Sequence, residues 1–305
     1  MELLTDPVAW WIDPFTSNVF MQRALYAGLL AVLTTSVVGT WVVLRGMSFL
    51  GDALAHGVLP GIALAFIIGV HTTIGAFVAA IVMVWGINMI RRYSPLPDDT
   101  SIGVLFVGFL ALAVAIMSSS SGAYTGDLNR FLFGSITGVS AADLRSQLIA
   151  AAISLGGVAV FYRAFLVMTF DYAQAQVLGL RPRLAHGVLL VLLATSIVAS
   201  FEAVGNLLVF AFLIAPPATA VLLVRRVPRI MVAASIVGAA SVVVGLLASY
   251  HHDTAAGATM ALTSVVVFLA VLSVKALLQA LARNRSRARA AAAARRLTGS
   301  ARLSG

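Results

Sequence analysis

An aspartate and a histidine lie four residues apart where a long apolar stretch begins. They are Asp52 and His56 in the segment GDALAHGVLPG, residues 51–61. In a helix, residues i and i+4 share one face with Cβ atoms roughly 5–6 Å apart, so both side chains can reach one point. A carboxylate and a neutral imidazole together suit Mn²⁺, Fe²⁺ or Zn²⁺. On spacing alone, a helix cap with a hydrogen-bonded histidine explains the pair equally well.

A second group of possible cation ligands follows much later in the chain. The segment SYHHD, 249–253, contains His251, His252 and Asp253, and Glu202 lies in another break between apolar stretches. Imidazole and carboxylate groups at a membrane surface could receive a cation on its way to a pathway, or could belong to an ordinary solvated loop. We expect at most a transient metal contact from these four residues.

A third feature is a mixed polar and apolar segment between two long apolar stretches. The segment DYAQAQVLGLRPR, 171–183, predicts a short amphipathic helix that ends at Gly179. Its alanines and glutamines, with few charges, suit insertion into a groove of a partner protein. A connector that lies on the membrane surface is the alternative.

The hexapeptide LAHGVL provides an internal comparison for the Asp52–His56 pair. It occurs at 54–59 and again at 184–189. The second copy has Pro182 where the first has Asp52, so His186 lacks a carboxylate four residues before it. The hexapeptide is therefore compatible with the plain start of a membrane span, and Asp52 is what distinguishes the first copy.

The composition of the whole chain excludes a soluble domain. Of its 305 residues, 61% are hydrophobic and 10% are charged, where a soluble domain carries about 25% charged residues. The mean hydropathy is +1.02. There is no cysteine, which excludes disulfides and thiolate metal sites. We therefore expect an all-α polytopic membrane protein.

Nine apolar stretches approach the roughly 20 residues that a membrane span requires. The breaks at His71 and at Glu202 are weak, and Pro216-Pro217 interrupts the seventh stretch. Eight spans with one re-entrant segment therefore also fit. The nine stretches lie at about 24–44, 50–70, 73–90, 101–118, 144–162, 186–203, 205–224, 229–248 and 255–276.

The positions of the arginines predict the orientation in the membrane. With nine crossings and the N-terminus outside, nine loop arginines, Lys275 and the C-terminal tail face the cytoplasm, whereas Arg23, Arg130 and Arg145 stay outside. Glu202 and the SYHHD segment then lie on the outer face. The cytoplasmic loop arginines are Arg45, Arg91, Arg92, Arg163, Arg181, Arg183, Arg225, Arg226 and Arg229.

Three parts follow from this pattern. Residues 1–22 form an N-terminal interfacial segment with aromatic anchors such as Trp10 and Trp11. Residues 23–278 form the transmembrane domain. Residues 279–305 form a basic cytoplasmic tail with seven arginines, which we expect to be disordered. A basic tail next to a span is typical of a topology or anionic-lipid signal, so we expect no nucleic-acid partner.

Several catalytic signatures are missing from the sequence. There is no GxxxxGK[ST], no HExxH and no GxSxG, so P-loop ATP hydrolysis, zinc proteolysis and serine hydrolysis lack their core residues. Acidic residues within the spans are few, which argues against a proton-coupled carrier with a carboxylate relay. An intramembrane enzyme that uses Asp52 and His56 would also lack a visible third catalytic residue.

Four segments together resemble the membrane permeases of bacterial ABC importers for manganese, zinc and ferrous iron. The likeness runs from about residue 20 to about residue 278. Ala55 stands where the family commonly has serine, and Pro216-Pro217 where one proline is usual. The segments are VLRGMSFLGDALAHGVLPGIALAF (43–66), FLFGSI (131–136), EAVGNLLVFAFLIAPPATA (202–220) and SYHHDTAAGATMAL (249–262).

The resemblance implies a permease subunit in a bacterial plasma (inner) membrane. It implies a homodimer or a paired permease, with cytoplasmic ABC ATPase subunits that hydrolyse the ATP and an extracytoplasmic metal-binding protein. The permease itself would be no enzyme and would hold no permanently bound cofactor. Its cargo would be a divalent metal, zinc or manganese, with zinc favoured by the outer histidines. An ATP-independent secondary metal-ion carrier is the alternative.

The resemblance also assigns roles to residues. Asp52 and His56 match the aspartate and histidine that are candidate metal ligands in the family's pathway. Residues 171–181 match the coupling helix that sits in a cleft of the ATPase. We therefore expect the coupling contacts to include Asp171, Ala175, Leu178 and Gly179.

Overall fold

The computed structural model describes residues 7–95, 98–118 and 138–301. Within these ranges, the side chains of 7–9, 91–92, 98, 202–203, 206–207 and 284–301 lie outside the described part. The described residues form helices joined by short connections, without a strand. The helices are α1 Pro7–Ser17, α2 Val19–Leu44, α3 Ser48–Gly57, α4 Leu59–Ile68, α5 Thr72–Tyr93, α6 Asp98–Ser118, α7 Ala141–Phe170, α8 Tyr172–Val177, α9 Pro182–Val204, α10 Asn206–Leu223, α11 Val227–His252 and α12 Ala256–Ala301.

All nine predicted apolar stretches are helical. Eight helices or helix pairs are long and apolar enough to cross a membrane, and α10 supplies a shorter apolar helix at Leu208–Leu223. The second span consists of α3 and α4, which meet at Val58. Pro60 lies in the first turn of α4 and has no N–H to continue the helical ladder, which explains the break. The expectation of an all-α polytopic membrane protein with eight or nine spans is confirmed.

The helix ends fall into two groups. At the end that carries α8, Arg45 Nη1 lies 3.1 Å from His186 Nδ1, and Lys275 Nζ donates to the Leu222 carbonyl oxygen at 2.5 Å. At the other end, which we call the His251 end, the His251 ring contacts Trp10. Consecutive membrane helices run in opposite directions, so their ends alternate between the two ends of the bundle. An arrangement with nine crossings requires this alternation.

The helix α2 forms the centre of the bundle and packs against α7, α9, α10 and α11. Trp41 on α2 is fully buried, with edge-to-face contacts to Tyr162 and Phe165 of α7. The buried hydroxyls of Thr35 and Thr40 donate to carbonyls one turn earlier in α2. Such hydrogen bonds within the helix satisfy polar groups that neither lipid nor an apolar core can satisfy.

The helix α10 fits closely between α2 and α3. Both Pro216 and Pro217 lie inside α10, which nevertheless continues from Asn206 to Leu223. Because Pro217 has no N–H, the carbonyl of Leu213 lacks its usual helical donor. A Cβ at Gly39 of α2 would lie 2.1 Å from the Leu213 carbonyl oxygen, and a Cβ at Gly51 of α3 would lie 2.4 Å from Leu213 Cδ2. Glycine at both positions therefore allows α10 to contact both helices.

The two terminal segments differ in how far they follow the sequence-based expectations. Part of the interfacial segment 1–22 is helical as α1, and residues 1–6 lie outside the described part. The tail 279–305 was expected to be disordered, whereas α12 continues as a helix to Ala301. Alanine and arginine are strong helix formers, so the basic composition does not prevent the helix from continuing. The FLFGSI segment, 131–136, lies outside the described residues.

Replacing Gly75 by alanine should separate α4 from α5. A Cβ at Gly75 would lie 2.1 Å from the Gly61 carbonyl oxygen, and backbone atoms cannot rotate away as a side chain can. We expect a loss of about 1–3 kcal/mol of stability, measured as a lower Tm of the purified protein in detergent. The matched control is Gly156→Ala, where a Cβ meets nothing within 4 Å. An unchanged Tm for Gly75→Ala would contradict the close helix contact.

Candidate metal site and coupling surface

A tight reversal at the α8 end places α3 beside α2. The helix α2 ends at Leu44, and Gly46 adopts φ 67°, a left-handed conformation that favours glycine. The Met47 N–H donates to the Val42 carbonyl oxygen at 2.9 Å, which closes the helix end. The helix α3 then begins at Ser48, so that Asp52 and His56 lie within the first two turns or so of the second span.

Asp52 and His56 contact each other as the i, i+4 spacing predicts. The distance from His56 Nδ1 to Asp52 Oδ1 is 3.3 Å, and the distance to the Asp52 backbone carbonyl oxygen is 3.1 Å. Because a carbonyl oxygen accepts and cannot donate, Nδ1 carries the proton in this contact. Nε2 is then the nitrogen of His56 that keeps a free lone pair. A histidine oriented in this way through its other nitrogen is typical of metal ligands.

The pair lies on the open side of a helix whose opposite side is buried. The side chains of His56 and Asp52 are 28% and 27% exposed, whereas Leu50, Ala53, Leu54 and Ala55 are buried. The two side chains therefore lie at the edge of the bundle, where the His56 ring contacts Phe106 of α6 and about one-quarter of each side chain remains open.

One chain supplies only part of a metal coordination shell at this site. Among the described residues, no group of three or more histidine, aspartate or glutamate side chains could hold a metal ion together. Zn²⁺ takes four ligands in structural sites, and Mg²⁺-like hard cations take six. The pair would need further ligands from water or from a second protein chain.

The structure does not place the predicted outer ligands near Asp52 and His56. The ring of His251 stacks on Trp10 with centroids 4.4 Å apart, and His251 Nε2 donates to the Trp10 carbonyl oxygen at 3.3 Å. His251 therefore ties α1 to α11. His252 and Asp253 are exposed at the same end, and Asp253 lines a cavity of about 620 Å³. The side chain of Glu202 lies outside the described part of the chain.

The predicted coupling segment forms a short helix with an apolar tip. The Asp171 carboxylate accepts from the Gln174 N–H at 2.9 Å and caps α8. Ala175 is fully buried against the bundle, and Gly179 ends the segment with φ 68°. Leu178 is 50% exposed, and Val177, which sequence reasoning missed, is 87% exposed. The sequence did contain an indication of this exposed position, because Val177 is an apolar residue that follows alanines and glutamines in the segment.

The second LAHGVL copy serves a structural role. His186 is buried, with its Nδ1 3.1 Å from Nη1 of Arg45. A guanidinium donates and cannot accept, so Nδ1 of His186 is the acceptor. This contact joins the end of α2 to the beginning of α9, next to α8. The histidine of the hexapeptide is therefore buried at position 186 and partly exposed at position 56, although the other residues of the first copy are buried.

Comparisons with known proteins agree with the fold and with the sequence motifs. Residues 17–275 match the ABC 3 transport family. The manganese transport system membrane protein MntC of Listeria monocytogenes is 37% identical over 249 residues, which cover 82% of this chain and 88% of that protein. The chelated iron transport system membrane protein YfeD of Yersinia pestis is 36% identical over 260 residues, covering 85% and 86%.

A solved structure is similar over nearly the same region. The structure of PsaBC from Streptococcus pneumoniae in complex with Fab matches with a TM-score of 0.78 and 34% identity, covering 87% of this chain and 95% of that chain. The chain therefore belongs to the ABC 3 transport family, which confirms the predicted resemblance to the membrane permeases of metal-ion ABC importers.

Proposed function

We propose that this permease carries Mn²⁺ and that Asp52 and His56 bind the ion during its passage. The observation that carries the proposal is the contacting carboxylate and imidazole on the open side of α3. Both groups lie inside an apolar span, where ionisable residues are costly and usually functional. Nε2 of His56 and the Asp52 carboxylate would provide one nitrogen and at least one oxygen ligand.

Two permease copies would complete the coordination. If two α3 helices face each other, each contributes one carboxylate and one imidazole, so that the ion has four side-chain groups instead of two. The partly open position of the pair at the edge of the bundle supports this arrangement. A transport site must also release its ion, so its affinity must stay modest. Partly exposed ligands shared between two subunits can separate when the subunits move.

Manganese is the proposed cargo for two reasons. The outer histidines gave the argument for zinc, but among the described residues neither His251 nor His252 joins Asp52 and His56 in one group of ligands. The proposed site therefore lacks the additional nitrogen ligands that zinc would favour. Similar proteins also carry names that refer to manganese or iron transport.

Energy for transport would come from separate ATPase subunits that bind at α8. The exposed Val177 and Leu178 form an apolar tip that a groove on an ATPase could bury. The α8 end would then face the cytoplasm, and an extracytoplasmic metal-binding protein would deliver the ion at the His251 end. The ATPase partner distinguishes this proposal from a secondary carrier, which would move metal without ATP.

Removing either proposed ligand should abolish metal uptake. We expect Asp52→Asn and His56→Gln to lower ATP-dependent Mn²⁺ uptake by at least about tenfold in vesicles that contain the reconstituted complex, since even partners of metal ligands cost 10–100-fold. The matched control is His71→Ala, which changes an exposed histidine in the loop before α5. Normal uptake by both ligand variants, with complexes correctly assembled, would contradict the site.

A charge at the tip of α8 should uncouple the ATPase. Burial of a valine contributes about 1.5–3 kcal/mol, so Val177→Asp should weaken assembly with the ATPase by about tenfold or more. Co-purification of the subunits and ATP-dependent uptake measure the effect. The control is Val70→Asp, an exposed valine in the loop between α4 and α5. The assignment of α8 as the coupling surface is wrong if the Val177→Asp variant assembles and transports as the unchanged protein does.

A competition experiment tests the proposed cargo. Zinc binds nitrogen and oxygen sites more tightly than manganese does. We therefore expect zinc to inhibit Mn²⁺ uptake by the reconstituted complex but to accumulate more slowly than Mn²⁺, because a tightly held ion leaves the site slowly. Radioactive Mn²⁺ and Zn²⁺, added together and separately, give both rates. Faster accumulation of Zn²⁺ would identify zinc as the cargo.

A further inference from the structure

Three aromatic rings are packed together beside the Asp52 carboxylate. The ring of His56 contacts Phe106 of α6 edge to face, with centroids 5.6 Å apart and an interplanar angle of 88°. Phe106 contacts Phe49 of α3 in the same way, with centroids 6.0 Å apart. The three rings thus run from the proposed metal ligand to the beginning of α3.

Phe49 shares the open stripe of α3 with the two proposed ligands. At about 100° per residue, positions 49, 52 and 56 lie within an arc of about 60°. Phe49 is 40% exposed, which agrees with a position on this stripe. It lies about 4.5 Å before Asp52 along the helix axis, on the side of the α8 end. An ion that leaves Asp52 and His56 toward α8 therefore meets Phe49 next.

The neighbouring helix α6 holds the Phe49 ring. A Cβ at Gly103 would lie 3.9 Å from Phe49 Cε1, so the ring lies across Gly103 and reaches Phe106 one turn further along. Much of the surface of α6 is exposed, including Val104, Val107 and Leu112. A small displacement of α6 against α3 would change the position of both phenylalanine rings without disturbing the buried side of α3.

We propose that Phe49 and Phe106 form a hydrophobic gate between the metal site and the α8 end. The proposal rests on the proposed function, because it requires Asp52 and His56 to line the pathway. Apolar constrictions exclude water and stop a hydrated cation without a covalent or charged barrier. In the paired permease, Phe49 of one copy would approach the partner copy below the shared ion. Opening would move α6 and withdraw the rings.

The test is a leak of Mn²⁺ without ATP. Vesicles that contain the complete importer are loaded with Mn²⁺, and its escape is followed by an external fluorescent chelator in the absence of nucleotide. We expect Phe49→Ala and Phe106→Ala to raise the escape rate by about tenfold or more above that of the unchanged complex. Phe49→Leu, which keeps an apolar side chain of moderate size, should restore most of the barrier. The matched control is Phe66→Ala, an exposed phenylalanine on α4.

Two outcomes would overturn the gate. One is an unchanged leak in both alanine variants whose complexes keep their normal Tm and assembly. The other is an equal leak in Phe66→Ala, which would indicate general loosening of the protein in the membrane. Adding Asp52→Asn to Phe49→Ala separates the gate from the metal site. A leak that persists in the double variant supports the gate even if uptake by Asp52→Asn alone disproves the ligand assignment.

Discussion

Asp52 lies inside an apolar membrane span, where a carboxylate is stable only if another group compensates its charge. An aspartate at the centre of a span costs about 2.5–3.5 kcal/mol on insertion scales, which is an upper bound for Asp52 in the second turn of α3. His56 provides part of the compensation through the 3.3 Å contact between Nδ1 and Oδ1. Both side chains remain about one-quarter exposed, so the contact leaves room for an ion. The proposed pairing of two copies follows from this incomplete compensation.

The two sides of α3 differ in how firmly they are packed, and the difference suits transport. On the buried side, a Cβ at Gly51 would meet Leu213 of α10, and a Cβ at Gly57 would meet Met83 of α5 at 1.9 Å. The backbone that carries the proposed ligands therefore packs closely against α10 and α5 on this side. On the open side, Phe49 and Phe106 touch through ring edges that can move apart. Close packing on one side and edge contacts on the other would let the proposed gate open while Asp52 and His56 keep their positions.

Long-range contacts account for most of what the sequence could not predict. Apolar runs predicted all nine helical stretches, and the i, i+4 rule predicted the contact between Asp52 and His56, because both depend on local periodicity. The stacking of His251 on Trp10 joins residues 241 positions apart, so no local pattern indicated that His251 would be engaged. The helical backbone that α12 keeps through the arginine-rich tail agrees with the helix propensity of alanine and arginine.

The central claim is that one metal ion is shared by the Asp52–His56 pairs of two permease copies. Manganese K-edge X-ray absorption of the metal-loaded complex, with the metal content determined for each chain, tests it most directly. The account predicts one Mn²⁺ for every two permease chains, with imidazole nitrogen from both copies and carboxylate oxygen in its shell. One Mn²⁺ bound to each chain, or a shell of oxygen ligands alone, would contradict it.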